Sequence, residues 1–352
     1  MSRNATKSND KRQKILDFVS ANPGLSSGEI YTGGGMEGGF ATVKRLIGQL
    51  LSENLLTVSG KGKATKYKVS DAYDILFDID VDQYFLKEID ERVIKENYSH
   101  SLISEVLARV SVFTAPELQY LDALQATYTS NRLSLTSNEY KKELERLAID
   151  LSWKSSQIEG NTYSLLETER LLKDKETAAG KTRDEAVMLL NHKDALDFII
   201  ENTTYVAPLT LASIEDIHSI LMKELDVERN IRRRRVGITG TNYRPIDNEF
   251  QIKDAMRDLC ALVNSTENVF SKAFLVLVLI SYIQPFNDGN KRTARIVSNA
   301  ILMCNHYCPI SFRTIDSVEY KKAMLIFYEQ NNVSAFKKIF IGQFEFAVNT
   351  YF

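Results

Sequence analysis

The strongest constraint on the fold is an apolar run that ends in a polar loop. Residues 273–283 read AFLVLVLISYI, eleven residues without a charged side chain. A helix needs about 20 apolar residues to span a bilayer, so this run predicts a buried helix in a globular core. Pro285 and the turn residues 287–290 end that helix, and the amphipathic stretch KRTARIVSNAILMCNHY begins another. The sequence therefore predicts helix, loop and helix in direct succession.

The loop between these helices, IQPFNDGNKRTAR at 283–295, has the residues of an anion-binding site. Backbone N–H groups at the start of a helix favour an anion. Arg292 and Arg295 are three residues apart, so both guanidinium groups can reach one face and bind different phosphates of one ligand. Asp288 can hold a magnesium ion that bridges those phosphates. Phe286 is expected to anchor the loop in the core.

Length and periodicity divide the chain into domains. At 352 residues it exceeds one ordinary core, which suggests two or more domains. From about residue 72 onward, apolar residues recur at spacings of three and four, which predicts a mainly α-helical body. The exception is RRRRVGITGTNYRPI at 232–246, where glycines separate short extended pieces. This segment predicts a small β-hairpin.

Residues 1–70 form a basic head on an acidic body. They carry eleven Lys or Arg against five Asp or Glu, a net of +6, and subtracting this from the whole-chain net of −2 leaves −8. Three helical stretches and an alternating segment around Gly-Lys-Gly predict a winged helix-turn-helix over 10–72, after a flexible tail at 1–9. DNA contacts would come from its exposed basic residues: Lys44, Arg45, Lys61, Lys63 and Lys66. The same surface would suit docking to a protein, and both interpretations stay open.

The cysteines and the N-terminus bear on the compartment. Three cysteines without disulfide-like spacing suit a reducing environment. Cys304, His306 and Cys308 form the cluster CNHYC, but a zinc site usually needs four ligands, so we predict buried thiols. The polar N-terminus lacks the apolar stretch of a secretory signal. We expect a cytoplasmic protein that does not contact a membrane.

Two stretches resemble motifs of the Fic family. The Fic motif runs His, any, Phe, any, Asp or Glu, Gly, Asn, Gly or Lys, Arg, two of any kind, Arg. Gln284 stands at the histidine position, and the other positions match with Phe286, Asp288, Gly289, Asn290, Lys291, Arg292 and Arg295. SSQIEGN at 155–161 resembles the family's inhibitory-helix motif through Ser155, Glu159 and Gly160.

The resemblance covers roughly residues 75–352 and implies a Fic-type helical bundle. Residues 73–180 would form a helical region carrying the inhibitory helix, and residues 181–352 the Fic core. The predicted hairpin would be the flap that docks a target protein, with Thr241, Asn242 and Tyr243 at its tip. The winged helix would be an appendage found in some members.

Fic enzymes typically transfer AMP from ATP to a hydroxyl of a target protein, with the motif histidine as general base. The resemblance implies that Asp288 coordinates Mg²⁺ and that Asn290 and the amides around Gly289 hold the α- and β-phosphates. Arg292 and Arg295 would bind the outer phosphates, and Glu159 would pair with Arg295 and hinder the productive ATP pose. One branch of the family with Lys at the position of Lys291 phosphorylates its target, so the transferred group stays open.

Gln284 separates two functional hypotheses. A general base contributes about 10² to 10⁴ in rate, and an amide cannot take a proton near neutral pH. In the first hypothesis the chain is an adenylyltransferase that is inhibited by Glu159 and weakened by Gln284. In the second it is a catalytically silent, nucleotide-binding Fic protein that acts as a DNA-bound regulator. A target protein, including the chain itself, and a second copy in a homodimer are the protein partners considered.

Overall fold

The structure is a computed structural model that describes residues 3–36 and 38–352. It is mainly helical with one small sheet, as the sequence predicts. Backbone contacts divide the chain into two compact units, of which the first comprises residues 1–78 and 109–118. The second comprises residues 79–108 and 119–352.

The first unit contains three helices followed by a two-stranded antiparallel hairpin. A 3₁₀ turn at Gly62–Ala64 lies between the strands, where the sequence has its Gly-Lys-Gly tip. The elements are α1 (Arg3–Ala21), α2 (Ser27–Gly33), α3 (Phe40–Ser52), β1 (Leu56–Ser59), β2 (Lys66–Val69) and the short α4 (Tyr73–Leu76). This order is the one that a winged helix-turn-helix requires, and that assignment stays a prediction.

Local sequence explains the boundaries in this unit. Ser26 and Glu29 form a capping box at α2, in which each side chain accepts a hydrogen bond from the other residue's backbone N–H. α3 buries Val43, Leu46, Ile47 and Leu50, which are spaced as one face of a helix. The backbone of residues 3–9 belongs to α1, and the flexible tail at 1–9 stays a prediction. Residues 1 and 2 lie outside the described residues.

The second unit is a helical bundle. A 3₁₀ turn (Ile89–Glu91) and a π-helical turn (Leu102–Leu107) precede its long helices. Its helices are α5 (Val81–Tyr84), α6 (Ala115–Ser134), which begins in the first unit, α7 (Ser137–Ile158), α8 (Leu165–Asp174), α9 (Arg183–Glu201), α10 (Leu211–Leu221), α11 (Glu249–Ser265), α12 (Val269–Ile283), α13 (Asn290–Cys304), α14 (Ser317–Gln330) and α15 (Ser334–Tyr351).

The apolar run lies in α12 and forms the centre of the bundle. Every residue from Ala273 to Ile283 is at most 3% exposed. The prediction of a buried helix is therefore confirmed. α12 and α13 pack against each other, with α9 and α10 on α13 and α11 on α12. This packing places the loop between α12 and α13 at one end of the core.

The β-hairpin predicted for 232–246 is wrong, since no strand forms in this segment, every residue of which is described. We call it the flap. Its backbone is bound by side chains and by neighbouring segments: Arg244 N–H donates to Glu96 O at 2.6 Å, and Gly240 O accepts from Arg92 Nη2 at 2.7 Å. Side chains and one β-bridge between Asn97 and Arg244 hold this segment, and it forms no pair of hydrogen-bonded strands.

All three cysteines lie in the second unit. Cys260, Cys304 and Cys308 are free, and Cys260 and Cys308 are buried. Burial raises the pKa of the Cys308 thiol well above its ordinary value.

In the described part of the chain, no helix combines the length and the apolar character needed to cross a membrane.

Candidate active site

The turn between α12 and α13 is built on two residues with left-handed backbone conformation. Gln284 has φ 53° and ψ 58° and ends α12, with its N–H donating to Ile280 O at 3.0 Å. Gly289 has φ 78° immediately before α13. The positive φ favours glycine there, and a Cβ at this position would also lie 2.5 Å from Met222 Cε, so that side chain would have to shift.

Asn290 closes this loop with its side chain. Its Oδ1 accepts from Phe286 N–H at 2.9 Å, and its Nδ2 donates to Phe286 O at 2.8 Å and to Gln284 Oε1 at 2.9 Å. The side-chain amide is therefore fully used within the loop. The phosphate-binding role expected for Asn290 stays a prediction, and in this structure its side chain shapes the loop.

The Gln284 amide is engaged at both ends. Its Nε2 donates to Ser281 O at 2.7 Å, and its Oε1 accepts from Asn290. The residue is 9% exposed and lines the cleft described below. Neither atom can accept a proton near neutral pH.

His218 supports the loop from α10. Its ring stacks on Phe286 with centroids 3.7 Å apart, and its Nε2 donates to Asp288 O at 3.0 Å. Burial lowers the pKa of His218 to about 4, so the ring is neutral near pH 7. The position of His218 in the sequence predicts no such role, because nothing in its spacing connects α10 to the loop.

Asp288 meets the requirements of a magnesium ligand. Its Oδ1 accepts from Gly289 N–H at 2.6 Å, its Oδ2 lies 3.0 Å from Arg292 Nη2, and the side chain is 65% exposed. The described residues contain no group of three or more His, Cys, Asp or Glu that could hold a metal alone. A single accessible carboxylate fits Mg²⁺, which commonly takes one or two carboxylates and completes its shell with phosphate oxygens and water.

The two arginines of α13 are in different states. Arg295 is fully buried; its Nη2 donates to Glu159 Oε1 at 2.8 Å and to Ser155 O at 3.0 Å, and its Nε donates to Ser155 Oγ at 2.8 Å. Arg292 is 1% exposed and pairs with Asp288, but its Nε and Nη1 have no hydrogen-bond partner among the described residues, whereas Arg295 lacks one only at Nη1. Buried N–H groups are usually satisfied, so Arg292 lacks an acceptor.

Glu159 lies at the end of α7, where Gly160 with φ 102° stops the helix. Its Oε2 is 3.5 Å from Lys291 Nζ. Burial alone would raise the pKa of Glu159, but the charges of Arg295 and Lys291 outweigh it and hold the pKa below its ordinary value. The preceding turn of α7 is fixed by Trp153, whose Nε1 donates to Tyr163 O at 3.1 Å.

These residues surround a cleft of about 470 Å³, within the range of ligand pockets. Glu159 forms one wall and Tyr328 of α14 another. The loop contributes most of the predicted site residues: Gln284, Asp288, Gly289, Asn290, Lys291 and Arg292. Arg295 and Ser155 are not in the lining, and Phe286 is buried, as its expected anchoring role requires.

The part of the flap that borders the cleft is not the part that was predicted. Residues 236–240 line it, whereas Thr241, Asn242 and Tyr243 do not. Tyr243 is 2% exposed, stacks on Tyr282 at 5.0 Å and donates its hydroxyl to Tyr282 O. Asn242 Nδ2 donates to Asp90 Oδ1 at 2.9 Å. In this conformation the Tyr243 ring cannot contact a target.

Arg232 joins the flap to the loop, and the sequence did not predict this role. Its Nε donates to Gln284 O at 2.6 Å, its Nη1 to Arg234 O at 2.8 Å, and its Nη2 to Ile246 O. Its backbone N–H donates to Pro285 O at 3.0 Å. The side chain is fully buried. The only available signal was its place in a run of four arginines, which gives no indication that one of them is internal.

In the head, the basic residues predicted to contact DNA differ in their exposure and in their ion pairs. Lys44 and Arg45 are exposed on α3, and Lys61 is exposed beside the hairpin. Lys66 Nζ is 2.8 Å from Glu29 Oε2, so its charge is partly compensated. The side chain of Lys63 lies outside the described residues.

Residues 208–302, from before α10 to near the end of α13, match the sequence model of the Fic/DOC family. The match covers 95 of the 352 residues. The matched range contains the loop, the flap and the buried α12, whereas Glu159 and Ser155 precede it.

Curated proteins that this chain resembles in sequence are named protein adenylyltransferase Fic. The one from Drosophila yakuba is 28% identical over 238 residues, which is 65% of this chain and 46% of that protein. The one from Drosophila melanogaster is 29% identical over 192 residues, 54% of this chain and 38% of that protein. The chain thus spans less than half the length of these relatives.

Solved structures share the fold over about two thirds of this chain. Fic-1 of C. elegans (residues 134–508) is similar with a TM-score of 0.58 and 20% identity over 67% of this chain and 72% of that one. A Fic domain containing signaling protein from Bacteroides thetaiotaomicron is similar with a TM-score of 0.57 and 19% identity, over 66% and 95%. At this level of identity the likeness establishes the Fic fold.

Proposed function

We propose that the cleft binds ATP with Mg²⁺ and that the chain is a Fic-type protein adenylyltransferase, inhibited by Glu159 and slowed by Gln284. The observation that carries this proposal is the contrast between the two arginines of α13. Arg292 has buried N–H groups without an acceptor, and Arg295 is held by Glu159 at 2.8 Å. An anionic ligand would satisfy the first arginine and compete with Glu159 for the second.

The phosphates would lie at the N-terminus of α13, where the amides after Gly289 and the helix dipole favour negative charge. Asp288 would hold Mg²⁺, which supplies charge neutralisation between the phosphates when bound. In transfer, the target hydroxyl oxygen bonds to the α-phosphorus, the bond to pyrophosphate breaks, and the hydroxyl proton must leave. The names of the curated relatives support this reaction for the family.

Inhibition follows from where the Glu159 carboxylate lies. It occupies Arg295 Nη2 and lies 3.5 Å from Lys291 Nζ, so it takes up the positive charge that an outer phosphate would use. Its low pKa keeps it ionised at neutral pH. An outer phosphate brought to the same arginine would meet like charge, and the productive pose of ATP is disfavoured.

The second candidate function is a catalytically silent, nucleotide-binding protein whose head binds DNA. It is favoured by the Gln284 amide, which is hydrogen-bonded at both ends and offers no proton acceptor. His218 does not replace it, because its Nε2 is already directed at Asp288 O. In this alternative the cleft senses ATP and transfers nothing.

One set of variants separates these functions: the parent, Glu159→Gly, Gln284→His and the double variant. ATP affinity with Mg²⁺ is measured by calorimetry, and self-modification with labelled ATP. We expect Glu159→Gly to bind ATP more tightly than the parent and to transfer slowly. The double variant should transfer at least about a hundredfold faster, the lower end for a general base. Glu176→Gly, a change at an exposed ion pair with Arg170, is the matched control.

Each other outcome has a definite meaning. If Glu159→Gly alone transfers as fast as the double variant, Gln284 is a competent site residue. If ATP binds but neither variant transfers, the silent function holds. If neither the parent nor Glu159→Gly binds ATP, the nucleotide site itself is refuted.

The head is tested by the salt dependence of DNA binding. Each neutralised phosphate contributes a slope of about −0.9 in log affinity against log salt. Changing Lys61, Lys63 and Lys66 together to Ala should flatten this slope. Because Lys66 pairs with Glu29 and Lys61 is exposed, Lys61→Ala should reduce the slope more than Lys66→Ala. Absence of binding at low salt would favour docking of a protein.

A further inference from the structure

The flap and the residues just before it carry a one-sided charge. Residues 229–246 contain six arginines and no Asp or Glu, although the chain outside the head has a net charge of −8. A merely solvated surface in an acidic body would mix the signs. The arginines are Arg229, Arg232, Arg233, Arg234, Arg235 and Arg244.

Three of them form what we call the arginine stripe: Arg233, Arg234 and Arg235. The Arg233 and Arg235 side chains are 80% and 87% exposed, and Arg234 is exposed as well. Arg233 pairs with Glu249 at 2.8 Å and Arg235 with Asp247 at 2.7 Å. Such exposed pairs contribute little to stability, so an incoming carboxylate can replace them. Arg234 has no carboxylate within ion-pair distance in the described part of the chain.

The stripe is fixed at the edge of the cleft. Arg235 directly precedes residues 236–240, which line the cleft together with Gln284 and Arg292. The buried Arg232 donates to the Arg234 carbonyl and to the Gln284 carbonyl, so one guanidinium sets the distance between the stripe and the loop. A stripe held in this way loses little freedom when it binds a ligand.

We infer that the arginine stripe recognises acidic side chains next to the hydroxyl that enters the cleft. This inference rests on the proposed function for the identity of that hydroxyl as a protein side chain. Guanidinium groups bind carboxylates with two parallel hydrogen bonds, which selects acidic residues over neutral ones. Three consecutive residues span only about 10 Å, which suits a short acidic segment. The negative charge of the body disfavours a long polyanion such as DNA at this place.

The test uses the full chain and fluorescent peptides of equal length, each with a single serine. One peptide has Asp and Glu around the serine, one has Asn and Gln, and one has Lys. Binding is measured by anisotropy at low and at moderate salt. We expect the acidic peptide to bind about tenfold more tightly than the neutral one, as two or three exposed pairs would give. Added salt should reduce that preference.

Charge reversal of Arg234→Glu with Arg235→Glu should abolish the preference for the acidic peptide and favour the lysine peptide. The matched control reverses Arg183 and Arg257, which are each 70% exposed and each paired with one carboxylate. We expect the control to bind the acidic peptide within about twofold of the parent, because surface changes away from a site have small effects. An equal loss in both variants, or no preference in the parent, overturns the inference.

Two further arms separate this inference from the proposed function. A single-stranded oligonucleotide that binds the stripe more tightly than the acidic peptide would show that nucleic acid is the occupant, and would overturn the inference. AMP transfer by the Glu159→Gly, Gln284→His protein without charge preference would also overturn it. Absence of transfer, with stripe-dependent binding of the acidic peptide, would refute the adenylyltransferase and leave the recognition surface supported.

Discussion

The loop between α12 and α13 and the flap border the same cleft, yet they are held in opposite ways. The loop holds itself: the Asn290 side chain bonds to Phe286 and Gln284, and Asp288 accepts from Gly289 N–H. The flap is held mainly by distant segments, through Arg92 at Gly240 and the contacts of Tyr243 with α12, although its own Arg232 also donates to Arg234 O and Ile246 O. Among the described residues, Arg232 makes the hydrogen bonds that connect the two segments. The shape of one wall of the cleft is thus set mainly by contacts between residues close in sequence, and the shape of the other wall by contacts with distant segments.

The largest effect on the free energy of unfolding is expected from Arg232→Met, which removes the link between the flap and the loop. The change leaves the carbonyls of Gln284, Arg234 and Ile246 without their donors in a buried place. Unsatisfied buried groups cost about 1–3 kcal/mol each, and partial relaxation suggests a total of about 3–5 kcal/mol in the free energy of unfolding. Urea denaturation measures it. Arg233→Met, one residue along and exposed, should stay within about 0.5 kcal/mol; equal losses would show that Arg232 is no special link.

A smaller effect is expected from Asn290→Ala, which tests whether the loop holds itself. Phe286 N–H and O lose their partners, so unfolding should become easier by about 2 kcal/mol, and ATP affinity should fall because the α13 amides lose their position. Asn202→Ala is the matched control, since Asn202 is exposed, donates its side-chain amide to Phe198 O and is not in the cleft lining. Unchanged ATP affinity in Asn290→Ala would mean that the loop keeps its shape without this side chain.

The same contrast explains what the sequence could predict. The helices, the buried α12 and the loop residues followed from apolar spacing, turn residues and a local motif. The hairpin at 232–246 was wrong because glycine and turn residues indicate irregular backbone, whereas the partners of that backbone, Arg92 and Glu96, are more than a hundred residues away in sequence. No periodicity carries information about such contacts.

Within the site, the sequence identified which residues meet but not always what they do. Glu159 and Arg295 do pair, as the resemblance implied. Asn290 has a role in the loop that only its geometry reveals, and His218 beneath Phe286 had no signal in the sequence. Residues 236–240 line the cleft, whereas the neighbouring residues that were predicted to do so, Thr241, Asn242 and Tyr243, do not.

The smallest effect is expected from pH, and it sharpens the electrostatic side of the comparison. The pKa of Glu159 is lowered from 4.5, so its ion pair is present above that value and is lost only as pH falls through the lower folded pKa. The ratio of ATP affinities between Glu159→Gln and the parent should therefore stay constant from about pH 6 to 8. Calorimetry across this range checks it. A ratio that falls towards pH 6 would mean that Glu159 is protonated there and that its pKa is raised.

The single tryptophan gives this molecule an optical property of practical use. Trp153 lies on α7 two residues before Ser155, and its indole N–H is anchored to Tyr163 O. A ligand that separates Glu159 from Arg295 by moving this end of α7 would change the surroundings of the indole ring. The intrinsic emission of the unlabelled protein, excited at the tryptophan band, would then report the movement of the helix end that carries Glu159.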